Sequence, residues 1–205
     1  MEKRCVIVSG GEYDLFPELN KDDFIIACDK GYSYALKRGV RPDLIIADFD
    51  SFKGKTDPEI PVLKYPCEKD DTDTMAAVKY AVEKSFSEVV LCCALGGRLD
   101  HGYANLQSCV YAVEKGLRAS VFGEREKVTF IKNRSLEVKK EEGSSLSVFS
   151  ITDKSEGVSV TGSKYELRDA VLVNSFPLGV SNEWKGDKAV ISVRSGILMI
   201  VESVL

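Results

Sequence analysis

Val89-Val90-Leu91-Cys92-Cys93-Ala94-Leu95-Gly96-Gly97-Arg98-Leu99-Asp100-His101 decides the fold class. Its opening run is apolar at every position, as expected of a parallel strand covered on both faces. The glycine pair breaks that strand. Leu106, Cys109, Val110 and Val113 then follow the i, i+3, i+4, i+7 rule and predict a helix over about 100–115, closed by Gly116. The same strand-turn-helix step recurs on the N-terminal side. Residues 5–8 form a β-branched run ending in Ser9-Gly10-Gly11, and residues 24–28 run into Asp29-Lys30-Gly31. A short helix is predicted over 32–38, stopped by Gly39. Residues 44–47 lead into Asp48-Phe49-Asp50-Ser51, and 61–65 make a weaker extended piece between prolines. Asp71 or Thr72 can cap a helix reaching about residue 84, with Met75, Val78 and Val82 on its apolar face. Residues 119–122 give one more strand. This alternation implies an α/β layer, Rossmann-like, with a mainly parallel sheet.

Beyond Val128 the pattern changes. Short apolar runs at 136–138, 146–150, 158–160, 172–173, 189–193 and 197–201 are separated by turn pairs such as Thr161-Gly162, Lys185-Gly186 and Ser195-Gly196. No helical period appears, so this part reads as an antiparallel β-sandwich. The expectation is two domains, 1–127 and 128–205.

Bulk properties narrow the function classes. Hydrophobic residues make up 44% and charged residues 29%, a globular balance. A formal net charge of −4 argues against non-specific nucleic-acid binding. The apolar runs are too short for a membrane span or a signal-peptide core, which makes a cytoplasmic protein the expectation. The cysteines form no Cys-x-x-Cys pair and there is a single histidine, so a structural zinc site is not expected. Buried free thiols are the preferred reading.

The acidic residues carry the chemistry. Asp29, Asp48, Asp50 and Asp100 all follow predicted strands, and in open α/β sheets ligands bind outside the C-terminal strand ends. Two bare carboxylates 5 Å apart repel by roughly 3 kcal/mol at an effective dielectric near 20. Several together call for protonation or a bridging cation, and an all-oxygen ligand set suits Mg²⁺ beside phosphates. Asp48 and Asp50 can flank one ion if the loop curls, though taken alone a polar loop with Asx-turns explains them better. Within Lys69-Asp70-Asp71-Thr72-Asp73, helix capping competes with a metal role for Asp70 and Asp73. Lys69 and Arg98 can offset phosphate charge, and Gly97 permits close backbone approach. His101 reads on its own as an orienting or packed histidine. No G-x-x-x-x-G-K-[ST] loop occurs, and no G-x-G-x-x-G follows the first strand.

Taken in order, these pieces resemble the thiamine pyrophosphokinase (thiamine diphosphokinase) family. The resemblance runs through Asp29-x-Gly31, Asp48-Phe49-Asp50-Ser51, Lys69-Asp70-x-Thr72-Asp73, and Gly97-Arg98-x-Asp100-His101 with Asn105. It continues through Thr161-Gly162-x-Lys164-Tyr165 and Gly179-x-Ser181-Asn182-Glu183. Ser163 departs from it, because leucine is commoner there. The resemblance implies pyrophosphoryl transfer from ATP to thiamine, with Mg²⁺, by a homodimer whose active sites are shared between subunits. It implies an ATP-binding N-terminal domain and a thiamine-binding sandwich. It assigns catalysis and metal binding to Asp48, Asp50, Asp73 and Asp100, and ATP and phosphate binding to Asp29, Lys69, Asp70, Gly97, Arg98, His101 and Asn105. Tyr165, Ser181 and Asn182 fall to thiamine. The alternatives are a pyrophosphokinase for another alcohol such as a hydroxymethylpterin, and a nucleotide-binding regulatory module without turnover.

Overall fold

The computed structural model describes residues 3–47, 57–63 and 71–204. Asp48, Asp50, Lys69 and Asp70 therefore lie outside the described residues. The chain divides into two compact units, Met1–Glu124 and Arg125–Leu205.

In the first unit, chain order gives β1 (Arg4–Val8), β2 (Phe24–Cys28), α1 (Gly31–Lys37), β3 (Leu44–Ile46), β4 (Val62–Leu63), α2 (Asp73–Glu83), β5 (Glu88–Cys92), α3 (Leu99–Glu114) and β6 (Arg118–Phe122). The strands pair in parallel in the order β6-β5-β1-β2-β3-β4. Strand order reverses at β1, which sits centrally between β2 and β5. Val6, Ile7, Val8, Val89 and Leu91 are buried, which accounts for the uninterrupted apolar runs.

Both longer helices start where the sequence places them, but their buried faces differ. Thr72 caps α2, its Oγ1 accepting the N–H of Met75 at 3.1 Å. Thr74, Ala76, Ala77, Val78 and Ala81 face inward, while Met75 and Val82 are half-buried. In α3 the buried set is Asn105, Ser108, Cys109, Ala112 and Val113, with Leu106 and Val110 at its margin. The two helices contact each other, and small side chains let them lie close.

The second unit is all β: β7 (Glu126–Lys132), β8 (Ser135–Lys139), β9 (Ser144–Ser150), β10 (Lys154–Thr161), β11 (Leu167–Val173), β12 (Gly179–Asn182), β13 (Lys188–Ser192) and β14 (Ile197–Val204). Antiparallel pairing gives one layer β12-β9-β14-β7 and another β11-β10-β13-β8. Leu146, Val148 and Leu198 of the first layer join Val158, Val160 and Ile191 of the second in one core, as the expected sandwich requires. Strands β7 and β12 were not expected from the sequence.

All described cysteines are free and buried. Cys67 lies outside the described residues. Among the described residues no helix is long and apolar enough to cross a membrane.

One ion pair anchors the start of the sheet. The Arg4 guanidinium forks onto Asp23, with Nε on Oδ1 at 2.8 Å and Nη2 on Oδ2 at 2.5 Å, and Asn20 N–H adds a third donor at 2.7 Å. Burial works against the Asp23 charge, but Arg4 and Asn20 outweigh it and hold the carboxyl below its ordinary value. The stabilisation is present above the unfolded-state value near ~3.9 and is lost as pH falls through the lower folded value. Asp23→Ala is expected to cost about 2 kcal/mol at pH 7, with the difference from wild type shrinking in acid. Urea unfolding across pH measures this, and equal stabilities at pH 7 would contradict it.

Candidate active site

The ends of β1, β2 and β5 converge because glycine backbones allow it. An added β-carbon on Gly31 would lie 2.0 Å from the Val8 carbonyl oxygen, and one on Gly11 would lie 2.6 Å from that of Cys93. The Ser9 N–H donates to the Cys92 carbonyl at 2.9 Å and the Gly11 N–H to that of Cys93 at 3.0 Å. Thr74 Oγ1 donates to Ser9 Oγ at 3.0 Å, tying the start of α2 to the end of β1. Asn105 Nδ2 donates to the Ala94 carbonyl at 2.7 Å and fixes α3 to the segment leaving β5.

These contacts frame a cavity of about 540 Å³. Its walls come from the turn after β1 (Gly10, Gly11, Glu12), the end of β2 (Cys28, Asp29, Lys30), the start of α2 (Asp71, Thr72, Asp73, Thr74) and the β5–α3 connection (Gly96, Gly97, Arg98, His101, Asn105). The cavity opens where the strand order reverses, the usual ligand position in such sheets. Six residues expected at the nucleotide and metal site from sequence therefore share one cavity: Asp29, Asp73, Gly97, Arg98, His101 and Asn105.

Asp100 is placed differently. It is exposed and paired with Arg98, Nε to Oδ1 at 3.1 Å and Nη2 to Oδ2 at 2.5 Å. The Arg98 hydrogen bonds hold its carboxyl below the usual range, with the His101 N–H adding to them. The two side chains assigned to metal and phosphate thus engage each other. Among the described residues no three His, Cys, Asp or Glu side chains form a metal cluster.

Asp29 has φ 45°, a left-handed conformation uncommon for a side-chain-bearing residue. Its Oδ1 is buried and has no hydrogen-bond partner among the described residues. Cys28 beside it is pushed well above the ordinary thiol range, by burial first and then by the charge of Asp73.

The three residues expected at thiamine lie in the second unit. Tyr165 is exposed. Asn182 is occupied locally, its Oδ1 accepting the Tyr165 N–H at 3.0 Å and its Nδ2 donating to the Tyr165 carbonyl at 2.7 Å and Ser163 Oγ at 3.1 Å. Ser181 has φ 52°, and its N–H donates to Ser147 Oγ at 3.0 Å. Asn182 thus shapes the turn presenting Tyr165. Ser163, where the resemblance leads one to expect leucine, is buried and takes part in that network.

Sequence reasoning did not single out Glu12 or the Ser9–Thr74 bond. The Gly10-Gly11 pair after β1 was the available signal. Glu12 sits against Gly96, where an added β-carbon would meet its Oε2 at 2.7 Å.

Comparison with known proteins decides the family. The model described as thiamin pyrophosphokinase, catalytic domain, matches residues 17–121, and that described as thiamin pyrophosphokinase, vitamin B1 binding domain, matches residues 133–198. The chain belongs to the thiamine pyrophosphokinase family. It is an enzyme, a thiamine diphosphokinase, and so a transferase of thiamine diphosphate formation. A thiamine pyrophosphokinase of Bacillus subtilis (strain 168) is 27% identical over 98% of this chain and 99% of its own length. The crystal structure of a Bacillus subtilis thiamine pyrophosphokinase matches with TM-score 0.88 at 24% identity, covering all of both chains. That of a Geobacillus thermodenitrificans thiamin pyrophosphokinase matches with TM-score 0.84 at 26% identity, over 98% of this chain and 97% of that one.

The tight seat of Gly31 gives a prediction. Gly31→Ala must push α1 off β1, and is expected to lower stability by about 1–3 kcal/mol. Denaturant unfolding reads this directly, and an unchanged midpoint would contradict the close approach.

Proposed function

We propose that the enzyme binds ATP in the cavity of its first unit and transfers the pyrophosphoryl group to the thiamine hydroxyl, releasing AMP. The observation that carries this reading is the convergence of Asp29, Asp73, Gly97 and Arg98 on one cavity at the reversal point of the sheet. Gly97 leaves backbone room for a phosphate chain, and Arg98 supplies a fork for its oxygens. That role requires Arg98 to exchange its bond to Asp100 for one to phosphate. Lys69 and Asp70 belong to the same nucleotide end by sequence, as do His101 and Asn105. Asn105 acts there as the tie that holds the β5–α3 connection.

The donor set suits Mg²⁺. Among the described residues the cavity offers oxygen donors from Glu12, Asp29, Asp73 and Thr74 beside the cations Lys30 and Arg98, and the Cys28 thiol is kept neutral by burial. Asp48, Asp50, Asp73 and Asp100 would hold the ion. When bound, it neutralises phosphate charge and orients the triphosphate. Asp73 or Asp100 takes the proton of the thiamine hydroxyl. The Arg98 hydrogen bonds hold the Asp100 carboxyl below its ordinary value, which favours a cation there over a proton until Arg98 turns to phosphate.

Thiamine falls to Tyr165, Ser181 and Asn182 of the second unit. Tyr165 offers an exposed aromatic face, with Lys164 Nζ 5.5 Å from its centroid. The enzyme acts as a homodimer in the cytoplasm, each active site combining the α/β unit of one subunit with the sandwich of the other. Exposed Val171, Val173, Phe176, Leu178 and Val180 in the second unit give such a dimer apolar surface to bury.

Asp48→Asn and Asp50→Asn are each expected to lower kcat by about 100-fold or more while circular dichroism stays native. Turnover is measured with ATP and thiamine across magnesium concentrations. Near-normal rates in either variant would refute the assignment.

A further inference from the structure

We infer that Asp29 selects the nucleotide by accepting hydrogen bonds from the two ribose hydroxyls. This rests on the reading of the cavity as the ATP site and assigns Asp29 a part of ATP other than its phosphates.

An ionised carboxylate accepts hydrogen bonds and donates none. Phosphate oxygens are acceptors too, so a phosphate can meet Asp29 only through a bridging cation. A part of ATP that meets Asp29 directly must carry donors. Adenine offers its 6-amino group, but always beside an acceptor nitrogen whose lone pair faces a carboxylate unfavourably. A ribose cis-diol offers two hydroxyl donors side by side, matching the two carboxylate oxygens.

Among the described residues no hydrogen bond competes with that pairing at Oδ1, which must turn from its buried position to make it. Oδ1 is buried with no partner among the described residues, a costly state for an acceptor. Oδ2 faces Gly10, 3.6 Å from where a β-carbon on that glycine would sit, so no side chain stands between them. The final torsion of an aspartate is soft, and its rotation turns Oδ1 to the cavity. The position fits as well. Asp29 directly follows β2, which pairs with β1, and lies about 20 residues beyond the glycine turn after β1, the spacing at which nucleotide-binding α/β sheets set an acidic residue for ribose. Arg98 lies on the β5–α3 connection, so the cavity has an anionic contact and a cationic one on different elements, as a nucleoside triphosphate requires.

The test compares kcat/KM for ATP, 2′-deoxy-ATP, 3′-deoxy-ATP and inosine triphosphate, with thiamine and Mg²⁺, in wild type, Asp29→Asn and Asp29→Gly. Asparagine and glycine both tolerate the φ of 45°, and thermal unfolding checks each fold. Wild type is expected to prefer ATP over each deoxynucleotide by about 10-fold or more, the range of a hydrogen bond to a charged group. Both variants are expected to compress that preference to within about 3-fold, leaving the ratio of ATP to inosine triphosphate unchanged. Wild type without a deoxynucleotide preference, or variants that keep it, would overturn the inference while the ATP reading stands. Collapse of the inosine ratio instead would place Asp29 on adenine. A raised Mg²⁺ requirement, equal for all four nucleotides, would place it on the metal. Either result overturns the inference. A wild-type enzyme that forms no AMP from any of them refutes the ATP reading itself.

Discussion

The Val8 carbonyl oxygen lies only 2.0 Å from where Gly31 would carry a β-carbon, and the Cys93 carbonyl oxygen lies 2.6 Å from the same point on Gly11. These two approaches bring the segments after β1, β2 and β5 together. Any side chain at either glycine would hold them apart by the width of a methyl group. Because they meet, Asp29 and Gly97 line the same cavity, and the start of α2 closes it through the Thr74–Ser9 bond. The chemistry of the site therefore depends on backbone packing before it depends on any charged residue.

Charge is then distributed over that frame. Asp29 after β2 and Asp71 and Asp73 at the start of α2 bring carboxylates to the cavity, and Asp71 pairs with Lys79 at 2.5 Å. In the proposed reading, a site with carboxylates facing the cavity favours a nucleotide accompanied by a divalent cation over free phosphate. The positive charge of thiamine suits it for the same reason. In the proposed mechanism each partner of the Arg98–Asp100 pair has a second use once the nucleotide is in place.

Much of this frame was legible in the sequence, and particular residues show why. Residues 89–92 are apolar throughout because both faces of β5 are covered. Asp29, Gly97 and Arg98 are found at strand ends because a strand cannot continue through such turns. On the helix faces Val78, Cys109 and Val113 are buried as expected, but Met75, Val82, Leu106 and Val110 are only half-buried, because the close packing of α2 and α3 selects alanine, serine and asparagine. Strand β7 begins and ends in charged residues, so Glu126, Lys127 and Lys132 made it look like a linker. In β12 the left-handed Ser181 interrupts the pairing, which erases the period of two. The role of Asn182 in shaping the Tyr165 turn depends on contacts 17 residues apart, which no local pattern carries.

The most direct test of the account is a crystal structure of the enzyme with Mg²⁺, thiamine and a non-hydrolysable ATP analogue. The account predicts the triphosphate against Gly97 and Arg98, with the ion on the aspartate set and the thiamine hydroxyl directed at the β-phosphorus. A nucleotide bound outside the cavity framed by β1, β2 and β5, or a thiamine hydroxyl directed at the γ-phosphorus, would contradict it.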